Sequence, residues 1–144
     1  MAWTTPATVT AGDDLTAAFW NAQVKANMDA IIAYLGQANS LAFNLGAQSE
    51  LTIATGVVTA TKSYHSIDTQ SDAASDDLDT INGGSEGMTL VIRANNDART
   101  VVAKDATGNL QLAGDMTLDN THDTLTLLYN GTAWIELSRS GNSA

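Results

Sequence analysis

The sequence predicts a mainly β protein: an N-terminal extended arm and one α-helix, followed by an antiparallel all-β sandwich or barrel-like domain. Three observations carry this. Helical periodicity occurs once, near the start; from Leu51 onward the pattern changes to period two; and the β half is cut by polar turns at short intervals.

Residues 1–13 hold the only proline, Pro6, among Thr and Val, and read as an extended arm. Asp13 and Asp14 offer an N-cap and suit the positive end of a helix dipole, so the helix is predicted over 14–36, with Gly36 at its C′ position. Its apolar residues form two stripes. Trp20, Val24, Met28, Ile31 and Leu35 make one; Leu15, Phe19, Ala22 and Ala26 make its neighbour. One stripe suffices for a helix lying on its own domain, whereas two suit a helix with neighbours on two sides. Both readings stay open, because about three heptads are too few to fix a coiled coil.

Residues 37–50 lose this periodicity, gain Gly, Asn, Ser and Gln, and read as a linker. The all-β domain is predicted over 51–144. Its strands are expected at 51–54, 57–61, 64–68, 88–94, 99–104, 110–113, 116–118, 124–129 and 133–138. No internal repeat is clear enough to select a solenoid over a sandwich. Residues 69–87 read as a long polar loop in which only Leu78 and Ile81 are strongly apolar.

The terminal stretch, "DTLTLLYNGTAWIELSRS", reads as a hairpin around Asn130-Gly131. A two-residue turn pairs Leu127 with Trp134; a three-residue loop pairs Leu128 with Trp134 and collects the other apolar groups on the opposite face. A one-residue slip exchanges the faces, so the two registers conflict, and either leaves apolar surface on a second face that something must bury.

Composition excludes several functions. Sixteen acidic and six basic residues give a formal charge of −10, and the six basic residues are scattered, so nucleic acid and anionic membranes are not expected partners. There is no cysteine, hence no disulfide and no thiolate metal site. No apolar run approaches the roughly 20 residues of a membrane span. The start has neither a basic nor an apolar signal region, so the expectation is a product made in a cytoplasm without a secretory signal.

Catalytic chemistry finds no constellation. His65 sits in an alternating segment and His122 in an acidic turn; neither lies in a nucleophile or metal motif. Asp72, Asp76, Asp77 and Asp79 invite a comparison with calcium loops. An EF-hand begun at Asp77 would put Ile81 and Met88 where oxygen ligands belong, and the stretch reads better as a solvated acidic loop. No catalytic residue, cofactor or metal is assigned, and a non-enzymatic protein is expected.

Two stretches carry a family resemblance. "AWTTPATVTAGDDLTAAFWNAQVKANMDAI" resembles the N-terminal segment of tailed-bacteriophage virion proteins, through Trp3-Thr4-Thr5-Pro6, Ala11-Gly12-Asp13, Leu15 to Ala18, and Asn21. The stretch from "DDLDTINGGSEG" to "WIELSRS" is similar to the C-terminal β domain of phage fibre and appendage proteins, with its Ile-Asn-Gly-Gly turn, "LTLLYNG" strand and closing Trp-x-Glu-x-Ser-Arg-Ser. The resemblance implies a virion structural protein, a short homotrimeric head or tail fibre or appendage, located on the particle. Its partners would be other capsid, neck or tail proteins. It places attachment in the arm, at Trp3, Pro6 and Val9, and subunit contacts at Phe19, Trp20, Met28, Ile31, Leu35, Leu128 and Trp134. Two alternatives stand beside it: a capsid decoration protein stabilising the shell, and a glycan-binding module for host surface glycans that would use Tyr64, Tyr129 and Trp134.

Overall fold

The computed structural model describes residues 16, 18, 21–34 and 44–142. The chain divides into two units, Met1–Gly46 and Ala47–Ala144.

In the first unit a π-helical turn, Asn21–Lys25, runs into α1, Ala26–Tyr34. The sequence predicts a continuous α-helix here, and the wider turn at Asn21–Lys25 is the difference. Lys25 and Asp29, one α-turn apart, form an ion pair at 2.6 Å across the junction. The expected caps at Asp13, Asp14 and Gly36 lie outside the described residues.

The second unit is built from eleven short strands. They are β1 Ser49–Thr52, β2 Val57–Thr59, β3 Tyr64–Asp68, β4 Ser75–Leu78, β5 Thr80–Asn82, β6 Thr89–Ala94, β7 Thr100–Ala103, β8 Leu110–Gln111, β9 Met116–Leu118, β10 Thr124–Tyr129 and β11 Trp134–Ser140. They form a six-stranded sheet in the order β1-β3-β6-β10-β11-β8, a β2-β5 pair and a β4-β7-β9 sheet.

The sheets have a solenoid-like arrangement. The chain passes from one sheet to the next and returns to the first, so that His65 lies opposite Ile92, Asp76 opposite Val101, and Ile81 beside Asn109. Each return takes roughly 25 residues, a repeat length typical of solenoids. Pairing is accordingly parallel at β1–β3, β3–β6, β2–β5, β4–β7 and β8–β11. The antiparallel pairing expected from the sequence holds only where the chain reverses, at β6–β10, β10–β11 and β7–β9.

Two strands, β4 and β5, stand where the sequence reads as a polar loop. Leu78 and Ile81 are nevertheless fully buried. A narrow turn of a stacked fold needs one inward residue per short strand, so "SDDL" and "TIN" pair with their neighbours although most of their residues face outward.

The core follows the alternation. Leu90, Ile92 and Ala94 of β6 point inward beside Leu125 and Leu127 of β10, while Val101 and Ala103 meet Leu118 and Met116. Trp134 seals this core. It is 0% exposed, its indole N–H donates to the Ile81 carbonyl at 2.8 Å, and its ring lies 5.0 Å from that of Tyr129. Gly84 leaves room for the tyrosine, since a Cβ there would lie 2.6 Å from the Tyr129 ring.

The buried polar groups hold turns. His65 Nε2 accepts the N–H groups of Thr61 and Lys62, each at 3.1 Å, so the proton resides on Nδ1, which donates to the Ser49 carbonyl at 2.9 Å. The ring thereby ties the β2–β3 turn to the start of β1. Replacing His65 with Ala should lower unfolding free energy by about 2–4 kcal/mol, through a cavity plus two unmet N–H donors. His65→Leu, which keeps the volume, should recover part of that loss in urea titrations. Equal losses for both variants would mean that the lost hydrogen bonds, and not packing, carry the effect.

Candidate functional site

The candidate site is the outward side of β6, β10 and β11, the second face of the terminal hairpin. Its geometry begins at the loop. Asn130 Oδ1 accepts N–H groups from Thr132 at 3.0 Å and Ala133 at 2.8 Å, and Asn130 N–H donates to the Ala133 carbonyl at 3.0 Å. The side chain thus stabilises a four-residue loop, Asn130–Ala133, with Gly131 at φ 95°. This corrects both registers expected from the sequence: Tyr129 lies opposite Trp134, Leu128 opposite Ile135 and Leu127 opposite Glu136.

A β-bulge follows. The pairing shifts between Thr126 and Leu127, so Thr126 faces Ser138 and Leu137 has no opposite residue. Because the bulge shifts the alternation by one residue, Arg139 falls opposite the inward-pointing Leu125. Its guanidinium donates to the carbonyls of Gly114 at 2.8 Å and Asp115 at 3.1 Å and to Glu136, which also accepts the Ala113 N–H at 2.8 Å. The β8–β9 loop is thus clamped to β11.

These contacts leave apolar groups on the outward side. Ile135 is 38% exposed and Leu137 55%, with Leu128 and Val91 half-buried next to them. Ile135 and Leu137 are the exposed large apolar side chains of the described β unit. In the helical unit the corresponding pair is Met28, 56% exposed, and Ile31, 47% exposed.

The residues singled out from the sequence distribute as follows. Leu128 is on the outward face. Trp134 corrects an expectation: its ring is enclosed by its own chain and has no free surface for a neighbour. Met28 and Ile31 are exposed. Trp3, Pro6, Val9, Phe19, Trp20 and Leu35 lie outside the described residues. Tyr64 is half-buried on the outward side of β3, opposite Val91, whereas Tyr129 packs at a tilt against the buried Trp134; the three aromatics do not share one platform. The sequence reading missed Ile135 and Leu137 as open surface, because they are turned outward by a four-residue loop where the sequence suggests two or three residues.

The carboxylates are engaged locally. Asp72 pairs with Arg99, which also reaches Asp68 at 2.9 Å. Asp76 accepts N–H groups from Gln70 and Asp77, and the buried Asp123 accepts those of Asp119, Asn120 and Asn142. Among the described residues no group of three or more His, Cys, Asp or Glu converges as a metal site. No helix among them is long and apolar enough to cross a membrane.

Several ionisations are shifted. The Arg139 hydrogen bond holds Glu136 below the usual glutamate value, with burial opposing and the Ala113 N–H assisting. The Lys104 hydrogen bond, then the Asp105 N–H, lowers Asp115, and that same pairing raises Lys104. The Thr121 N–H lowers Asp97.

No known protein family, characterised protein or solved structure matches the chain. What the geometry defines is a mainly β, solenoid-like unit with one open apolar strip on its outward side.

The Glu136 shift has a pH consequence. A carboxylate whose pKa is depressed by folding contributes stability above its unfolded value of 4.5 and loses it as pH falls through the lower folded value. Wild type should therefore exceed Glu136→Gln in thermal stability at about pH 6, and the gap should narrow at about pH 3. A gap independent of pH would assign the contribution to shape rather than charge.

Proposed function

We propose that this chain is a non-enzymatic structural protein of a tailed-bacteriophage virion. It acts as a short homotrimeric head or tail fibre or appendage, joined to the particle through its N-terminal arm and helix. The observation that carries this reading is the β unit's exposed strip. The unit completes a core of its own, sealed by Trp134, and still leaves Ile135 and Leu137 open on one face. Contiguous open apolar surface on a folded unit marks a place for assembly.

Two further features support the reading. The motif from Trp3 to Asn21 resembles the attachment segment of phage virion proteins, and it lies in a different unit from the β strands. Attachment and display would then occupy different units of the chain. The buried polar groups His65, Asp68 and Asp123 are engaged with backbone and neighbouring side chains, which suits a scaffold role.

Deleting residues 1–13 should leave a folded oligomer that no longer joins the particle. Incorporation is measured on purified phage assembled with the truncated chain, by immunoblot against a capsid protein. Normal incorporation would place attachment elsewhere. Copy number in the same particles separates the two virion roles: a few copies mark an appendage, hundreds a decoration protein.

A further inference from the structure

We infer that the outward face of β6, β10 and β11 is a self-association surface whose occupant is a second copy of this chain. The inference rests on the oligomeric reading above and specifies which surface makes the contact.

The chain carries 16 acidic against 6 basic residues and a formal charge of −10. A second copy therefore approaches against repulsion. Two like charges at 4 Å cost about 1 kcal/mol in bulk water, and more as water leaves the contact. Copies can close only where carboxylates are missing from the contact.

This face meets that condition. Register places Thr89, Val91 and Arg93 of β6, Thr124, Thr126 and Leu128 of β10, and Ile135 and Leu137 of β11 on the outward side, with Ser138 and Ser140 brought there by the bulge. None is acidic. The single charge, on Arg93, is half-buried, and its guanidinium donates to the carbonyls of Ala94 at 3.2 Å and Thr121 at 3.1 Å. Across β3 the row passes Tyr64 to the buried Ser66 and Asp68, the latter paired with Arg99 at 2.9 Å, and reaches β1 at Glu50, whose carboxylate accepts from Asn95 at 2.9 Å. The sheet formed by β4, β7 and β9 differs: Asp77 faces outward opposite Val102, with Lys104 and Asp115 paired near it.

The same face holds the β unit's two open apolar side chains. At the bulge one of them, Leu137, has no residue opposite it on β10. An acid-free surface with an apolar centre on a strongly acidic molecule fits another copy of that molecule better than a basic partner, which would seek the carboxylate-rich sides.

The test is sedimentation equilibrium of the full chain at low and high salt. Wild type should be oligomeric and associate more tightly as salt rises, since screening removes repulsion and leaves the apolar contact. Leu137→Asp should weaken association by at least about tenfold. Thr117→Asp, an equal charge on the exposed side of β9, should have a much smaller effect. Should the first variant fail to fold, Leu137→Cys decides in this cysteine-free chain: oxidation should give disulfide-linked pairs, and Thr117→Cys should not. Wild type that remains monomeric overturns both this inference and the oligomeric reading. Wild type that is oligomeric and unaffected at Leu137 overturns the inference alone and moves the contact to another surface, such as Met28 and Ile31.

Discussion

The hydrogen bond from the Trp134 indole to the Ile81 carbonyl links the last strand to the middle of the stack. A parallel stack of short strands has open ends, and a large buried ring closes one of them. Burying such a side chain contributes roughly 1.5–3 kcal/mol. It can do so here because β11 pairs on both sides, antiparallel to β10 and parallel to β8. Tyr129 against Trp134, Gly84 beneath Tyr129 and the Asn109 side chain on Ile81 all follow from that placement.

The hairpin register is subordinate to this closure. Asn130-Gly131 favours a two-residue turn by local chemistry, and its side chain serves a four-residue loop instead. Placing Trp134 opposite Tyr129 sends both rings inward and turns Ile135 out. Local turn preference is worth little against an inward tryptophan. The cost of that choice is an apolar outward row of Leu128, Ile135 and Leu137.

Much of the fold was legible in the sequence, and the parts that were not share a cause. Period-two runs at 64–68, 116–118 and 124–129 coincide with strands, because each buries two or more alternate residues. The runs at 75–78 and 80–82 were hidden: each buries one apolar residue, and period two cannot be seen in a single point. Leu78 and Ile81 were visible as isolated apolar positions, and stacking makes isolated positions sufficient. The solenoid itself was hidden because its turns repeat geometry without repeating residues; Asp76 stacks on Val101, and His65 on Ile92. Of the candidate site, Leu128 was legible, whereas Ile135 and Leu137 depended on the loop length.

The charge balance belongs to the same account. Asp68, Asp76, Asp97, Asp105, Asp115 and Asp123 each accept from backbone N–H groups at turns. A stacked fold of short strands is rich in turns, and carboxylates that accept N–H groups there replace backbone partners that a longer ladder would supply. Part of the acidity, six of the sixteen acids, thus serves the architecture at turns. The middle of a wide sheet has no corners. The outward rows of β6, β10 and β11 occupy that middle, and so a broad surface free of carboxylates arises where the sheet is widest and the terminal hairpin has turned its apolar side outward.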